Sequence, residues 1–586
     1  MTRALRPLAL FWWSVALPAV GAAAPSPSPA IVWVRFADHG ALERATPALR
    51  RAAARATVSA RSLARRMERG VGGDLVAGDL PVEPRYVQGL VDRGFRVRVV
   101  SRWLNAASVE AAPDRLAELS ALPFVIGIEP VARWRRDEAA FDLERATPIV
   151  ESPAGDRALR SQSAPGDATF YGFSAAQNTL IEADRMHARG LSGAGILIAM
   201  LDTGFRTTHV AFDSLRVVAQ RDFVHGDSVV ANQPGQDQAG QDYHGTETLS
   251  VVGSYEPGRL VGTAFRASFA LAKTEDESTE FPIEMDWWQA GAEWADSLGA
   301  DVLSSSLGYT TFDFPYPSYR YADLDGRTTV VTRAAAEAAR RGLVVVTAQG
   351  NEGSRPWRYL IAPADGDTVC AVGATDSTGL VAIFSSYGPS ADGRVKPDVC
   401  AMGSAMALAS PGDDFGIATA SGSSFSTPAV AGICALLLEA HPTWTPFEVI
   451  QALRATASRF AAPDTHGGYG VARAEAALSW VPSTAFANVS SQGAALVLAG
   501  AAPFLRGGTM AFWARAGAAA GSASVVVFDA RGRRVRTLFA GAMLAGSERL
   551  LSWDGRDQGG VASAPGVYFV RFEAPSVHLG RRVVLL

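Results

Sequence analysis

The chain has 586 residues, 48% hydrophobic and 19% charged, more apolar material than one core uses, so length points to roughly three or four domains. A formal net charge of -4 offers no basic field for nucleic acid, and the cations are almost all arginine, with Lys273 and Lys396 the two lysines. Three cysteines (Cys370, Cys400, Cys434) exclude a disulfide-dense scaffold and allow at most one bridge; Cys434, in an apolar run, reads as a buried, inert thiol.

Residues 1–24 read as a signal peptide. Arg3 and Arg6 precede an apolar stretch, which ends in the small residues Gly21-Ala22-Ala23-Ala24. No later stretch reads as a membrane helix, so no transmembrane anchor is expected. Residues 30–133 read as a small α+β unit. IVWVRF alternates as a strand, and 44–69 reads as one Ala/Arg-rich helix with a solvated arginine face. FRVRVVSRWLNAASVE then reads as a strand, Pro113–Ala121 as a helix and FVIGIEPV as a closing strand. Residues 134–172, charged and aperiodic, read as a linker.

From 173 to 482 short apolar runs alternate with helices: ILIAML, SFALAK, DVLSSS and LVVVTA. Near-continuous apolar strands indicate a parallel sheet buried on both faces, hence an α/β domain. The helix before LVVVTA ends at a capping glycine, Gly342. Residues 485–586 change again, to short strands with Gly-rich turns, the pattern of an all-β sandwich that folds and moves largely on its own.

Ligands of an open parallel sheet bind outside the carboxyl ends of its strands. Asp202 follows ILIAML, Ser304-Ser305-Ser306 ends DVL, and Asn351 follows LVVVTA by way of Gln349-Gly350. Taken singly, each is an ordinary turn former. His244, after a polar loop, would alone be an ordinary structural histidine. Ser421-Gly422-Ser423-Ser424-Phe425-Ser426-Thr427-Pro428 opens a buried apolar helix; such serines usually cap, but they also suit a nucleophile at a positive helix end whose amides can hold an oxyanion. A serine hydroxyl needs a base, and the base needs an orienting acid.

Asp202, His244 and Ser424, in that chain order and together with Asn351, resemble the subtilisin-like serine proteases. The carriers are Leu201-Asp202-Thr203-Gly204, His244-Gly245-Thr246, Gln349-Gly350-Asn351-Glu352-Gly353 and Gly422-Ser423-Ser424-Phe425-Ser426-Thr427-Pro428. Ser306-Leu307-Gly308, Ser385-Ser386-Tyr387-Gly388-Pro389, Lys396-Pro397-Asp398 and Gly468-Tyr469-Gly470 agree. The resemblance covers about 310 residues. It implies a serine endopeptidase with Asp202, His244 and Ser424 as triad and Asn351 in the oxyanion hole. Ser306, Leu307, Gly308 and Gly350 would flank the specificity pocket. Glu352, at the pocket rim, would favour a basic residue before the scissile bond.

Two positions depart from the family pattern: Glu247-Thr248-Leu249-Ser250 stands where a second histidine and small apolar residues are usual, and Ser423 stands for a threonine. No cofactor is expected. Structural calcium is common in the family, but the sequence identifies no site. Residues 30–133 resemble the inhibitor-type propeptide of these enzymes, and 524–586 the immunoglobulin-type repeat of bacterial sorting and flagellar hook-capping proteins. The expected partners are protein or peptide substrates, the chain's own propeptide as intramolecular inhibitor, and surface or secretion machinery through the C-terminal domain. The expected location is secreted or cell-surface, in a bacterial extracellular setting. The related sedolisins share the serine motif but use Glu and Asp in place of His and Asp; His244-Gly245-Thr246 and Asn351 argue against that reading. A surface-binding protein on a dead scaffold would require a missing triad member, and none is missing.

Overall fold

The N-terminal unit is an antiparallel sheet of order β2-β3-β1-β4, built from β1 (Ala30–Phe36), β2 (Arg96–Ser101), β3 (Ala106–Ala111) and β4 (Val125–Pro130). This computed structural model describes residues 30–70, 77–130, 146–149, 164–277, 283–310, 318–480, 495–499, 510–516, 521–529, 531–544, 547–574 and 577–585. The signal segment and most of the sequence-assigned linker lie outside them. The expected single helix over 44–69 is two, α1 (Pro47–Arg55) and α2 (Ala60–Glu68). Thr57 Oγ1 donates to the Ala54 carbonyl at 2.8 Å and Ser59 accepts from Ser62 N, so local hydroxyls end one helix and cap the next. The expected long strand is a hairpin of β2 and β3, turned where Ser101 Oγ accepts from Leu104 N and Asn105 takes φ 47°. Helices α3 (Pro84–Val91) and α4 (Leu116–Ser120) cover one sheet face over Val32, Val34, Phe36 and Val109.

The second unit is a seven-stranded parallel sheet. In chain order its surroundings begin with β5 (Thr147–Pro148). Then come β6 (Leu197–Asp202), β7 (Arg216–Asp222), α5 (Tyr243–Gly253), the hairpin β8 (Tyr255–Glu256) and β9 (Leu260–Val261), and β10 (Ser268–Lys273). These are followed by α6 (Ile283–Leu298), β11 (Val302–Ser305), α7 (Val330–Arg340), β12 (Val344–Ala348), β13 (Val369–Thr375) and β14 (Val399–Met402). Hairpin β15 (Met406–Ala409) and β16 (Ile417–Ala420) leads to α8 (Ser423–Ala440) and α9 (Pro446–Thr456). The sheet order is β14-β13-β12-β11-β6-β10-β7. The strands are apolar throughout because both faces are covered: one core lies under α5 and α8, the other under α6 and α7. From β6 the chain passes to the edge strand β7 and returns as β10 between them, then builds outward from β11 on the other side. The crevice therefore opens between the carboxyl ends of β6 and β11. Packing starts earlier than the sequence suggests, with Phe170 and Tyr171 buried inside the stretch read as linker. α8 has the length and hydropathy of a membrane span, but 89% of it is buried in this core. The three cysteines are buried and unbridged.

The other face of the N-terminal sheet lies on α6. Alternation along β1 sends Ile31 and Trp33 into the core shared with α6, opposite Val32 and Val34. Around this apolar centre the contact is polar. Ser108 donates to Asp286, Ser101 to Glu293, and Gln289 Nε2 to Ser101 Oγ at 2.7 Å. The solvated arginine face expected of 44–69 is corrected here. Arg65 and Arg66 meet buried Asp296 at 2.5 and 2.7 Å, Arg102 joins at 3.1 Å, and Arg69 pairs with Asp301 at 2.7 Å. Arg66 also holds nearby Asp79, but Asp296 and Asp301 lie more than two hundred residues beyond α2, where sequence could not place them.

The C-terminal unit is a sandwich. One sheet has β17 (Ala495–Ala499), β18 (Met510–Arg515) and β21 (Glu548–Trp553); the other has β19 (Gly521–Asp529), β20 (Arg534–Met543), β22 (Gly566–Ala574) and β23 (Val577–Leu585). Trp553 fills its core with Phe512, Val525 and Phe572. The unit does not stand apart, contrary to the sequence expectation. Trp513 meets Phe447 of α9 edge-on at 4.3 Å, and Arg549 pairs with Asp392 at 3.3 Å.

Two outcomes follow from the α6 interface. Asp296→Ala, in a Ser424→Ala background, leaves Arg65, Arg66 and Arg102 without their shared carboxylate. It should weaken docking of residues 30–130 by about 3–5 kcal/mol, measured as proteolytic release of that segment; unchanged resistance would refute the role. Burial pushes the Asp286 carboxyl up to about 7, and burial also raises Glu293. Undocking rehydrates Asp286 and returns it toward the ordinary value of about 4. Docking thus takes up a proton; its gain is full below about pH 4 and is lost as pH rises through about 7, by up to about tenfold per pH unit. Binding of the added N-terminal domain to the remainder of the chain, titrated from pH 5 to 8, should weaken accordingly, and Asp286→Asn should flatten the dependence.

Candidate active site

β6 ends on Asp202, whose carboxylate stands at the rim of the crevice. Its Oδ1 accepts from Thr203 N at 2.8 Å and lies 2.6 Å from His244 Nδ1. Gly245 permits this approach: a Cβ there would sit 1.9 Å from the Gly204 carbonyl oxygen. α5 can therefore lie directly on the loop after β6, with His244 over Asp202. Both side chains are buried. A carboxylate on Nδ1 holds that nitrogen protonated and leaves Nε2 as the basic atom.

Ser424 is the second residue of α8, where backbone amides point out of the helix start. Phe425 puts its ring 6.1 Å from the His244 ring, so the starts of α5 and α8 adjoin. Pro428 has no N–H to offer the Ser424 carbonyl four residues back. Ser306 fills that acceptor instead, its Oγ donating to Ser424 O at 2.6 Å, while Ser424 Oγ lies 3.3 Å from Ser306 O. The end of β11 is thereby tied to the nucleophile candidate. Sequence placed Ser306 only at the pocket edge; Pro428 was the available signal that the helix carbonyl needed an outside donor.

Asn351 follows β12. Its Oδ1 accepts from Ser423 N at 2.8 Å, and since that amide can only donate, the side-chain oxygen must face the helix and Nδ2 the other side. Ser423, the departure from threonine, keeps a hydroxyl that accepts from Gly350 N at 3.1 Å. Gly350 has φ +109°. Ile361, which sequence did not single out, lies between two glycines. A Cβ on Gly308 would fall 2.2 Å from Ile361 Cδ1, and one on Gly350 would fall 3.1 Å from its Cγ2. Leu307 is buried beside them. At Glu352, expected to favour a basic substrate residue, Arg355 Nη1 lies 3.4 Å from the carboxylate.

The second departure also has a place. Glu247 is buried in α5, and Thr248, one turn after His244, puts Oγ1 3.0 Å from Asp202 Oδ2. Among the described residues no three His, Cys, Asp or Glu side chains are grouped to hold a metal ion. The arrangement offers a buried carboxylate–imidazole pair, a hydroxyl at a helix start and an oriented side-chain amide. These are the parts of acyl transfer.

Comparison with known proteins agrees with this chemistry. A profile described as the subtilase family matches residues 193–470. One described as the peptidase S8 propeptide domain of Bacteroidota matches 31–142, and one described as the FlgD Ig-like domain matches 505–576. Subtilisin DY of Bacillus licheniformis is 31% identical over 300 residues, covering 51% of this chain and 96% of its own length. Subtilisin NAT of Bacillus subtilis subsp. natto is 28% identical over 369 residues, 63% and 79% of the two chains. An alkaline protease of Alkalihalobacillus alcalophilus is 30% identical over 342 residues, 58% and 76%.

Asn351→Ala should lower kcat by about 10²–10³, the usual loss for one oxyanion donor, with KM nearly unchanged. Steady-state kinetics on a peptide amide checks this, and a change confined to KM would assign Asn351 to ground-state binding.

Proposed function

Because the chain belongs to the subtilase family of serine peptidases, we propose that it is a secreted endopeptidase that cleaves proteins through Asp202, His244 and Ser424. The observation that carries the reading is the 2.6 Å pair of Asp202 and His244 at the rim where α8 begins. Ser424 Oγ attacks the scissile carbonyl while His244 Nε2 takes its proton. Asp202 stabilises the imidazolium, and the Asn351 amide with the Ser424 N–H receives the oxyanion. His244 then protonates the leaving amine. Water, activated by the same imidazole, releases the acyl group. Ser306, Leu307, Gly308 and Gly350 border the pocket for the residue before the scissile bond, and Ile361 limits its depth.

The N-terminal domain serves as intramolecular inhibitor and is removed by self-cleavage. β5 supports a location for the cut. Thr147 and Pro148 pair antiparallel with Thr419 and Ala418 of β16, the strand that leads into Ser424. Secretion is supported by the signal-like start, and attachment to surface machinery by the C-terminal domain.

Ser424→Ala should reduce turnover by roughly 10⁶ and leave the N-terminal domain attached. The active protein should lose that domain and start within a few residues of Ala146. Intact mass and N-terminal sequencing read both. Near-normal hydrolysis by the folded variant would overturn the nucleophile, and a start far from Ala146 would overturn the cut.

A further inference from the structure

The Asp202 carboxylate has two oxygens. Oδ1 serves His244 and Thr203 N, while Oδ2 accepts from Thr248 Oγ1 at 3.0 Å. Thr248 is fully buried in α5, four residues after His244, so it stands on the same helix face. Its hydroxyl has a single hydrogen and also lies 3.0 Å from the Gly245 carbonyl, within its own helix; of the two acceptors the charged carboxylate is the stronger and takes that hydrogen. Of the two χ1 rotamers open to a helical threonine, the one observed sets Oγ1 over the preceding turn and within reach of Asp202. The donor is thus held on the second carboxylate oxygen by the helix that also carries the base.

We propose that Thr248 is a positioning residue for the triad: its hydroxyl clamps Oδ2 of Asp202, so that Oδ1 stays in line with His244 Nδ1 through the catalytic cycle. The inference rests on the triad reading above. A carboxylate held by one oxygen can rotate about its Cβ–Cγ bond and let the imidazole drift; held by both, it cannot. A hydrogen bond to Oδ2 also draws negative charge from the atom that faces the imidazolium. Its loss should make Asp202 a stronger partner for protonated His244 and raise the histidine's apparent pKa. Other titratable groups near the pair are Asp242 just before α5, Glu247 within it, Arg206 after β6, Glu275 after β10, and Tyr309 after β11, which lies close enough to feel the charge of Asp202. None changes in the variants below.

The test compares Thr248→Val, which keeps the shape and loses the donor, with Thr248→Ser, which keeps the donor. Rates are normalised to active sites counted with a fluorophosphonate. Thr248→Val should lower kcat on the order of tenfold with KM little changed. It should also move the acid limb of the kcat/KM profile to higher pH. Thr248→Ser should retain kcat and profile. The proposal is overturned if Thr248→Val matches the parent in both, or if Thr248→Ser is as impaired as Thr248→Val, which would make packing the cause. Should Thr248→Val not fold, Thr248→Ala takes its place with the same expectations. Ser424→Ala runs in parallel. If it keeps activity, the triad reading has failed; if it is inactive while Thr248→Val is unaffected, only the clamp has.

Discussion

The first turn of α8 is the constraint on which the site depends. A helix start leaves amides without partners, and Pro428 additionally leaves the Ser424 carbonyl without its donor. Each deficit is met from a different strand end: Ser423 N by Asn351 after β12, and Ser424 O by Ser306 after β11. The bonds that satisfy the helix are therefore the bonds that bring Asn351 and Ser306, the proposed oxyanion donor and pocket wall, to the proposed nucleophile. Little extra machinery is needed, because an unsatisfied buried amide or carbonyl would destabilise the fold by about 1–3 kcal/mol. Stability and catalysis select the same geometry here.

The contact between the N-terminal domain and α6 follows another logic. A permanent interface would use apolar surface throughout. This one sets buried guanidinium groups on Asp296 and Asp301 around a small apolar centre. Buried ion pairs add little net stability over apolar packing, but each charge is strongly hydrated once apart. Such an interface fixes register while docked and leaves two soluble surfaces when separated. That suits a domain whose role ends with removal.

Much of this was legible in sequence. The strands β6, β10, β11 and β12 read as apolar runs, and the motifs around Asp202, His244, Asn351 and Ser424 read in order. Those signals are local, carried by alternation, capping and short spacing. What sequence missed was set at long range. Asp296 and Asp301, which meet Arg65, Arg66 and Arg69, come from far along the chain, so an amphipathic arginine stripe looked like a solvent face. Ile361 carries no motif, and its position is defined only by the two glycines around it. Thr248 was visible as a departure from the family, but its meaning depended on one helical turn placing a hydroxyl on Asp202.

α6 connects these two parts of the molecule. Its outer side carries Asp286, Gln289, Glu293 and Asp296 to the N-terminal domain. Its inner side carries Trp288, whose Nε1 donates to Ser305 Oγ at 2.8 Å, next to the Ser306 that holds Ser424. A domain that binds folded α6 and not the unfolded chain stabilises the folded form by mass action. Because the helix also fixes the end of β11, that stabilisation extends to the rim of the crevice. Such binding would assist a parallel sheet, whose strands pair only after long crossovers have closed, because non-local closure is slow. The bonds around the start of α8 join β11 and β12 to that helix and include no residue of the N-terminal domain, so they do not depend on the covered face of α6.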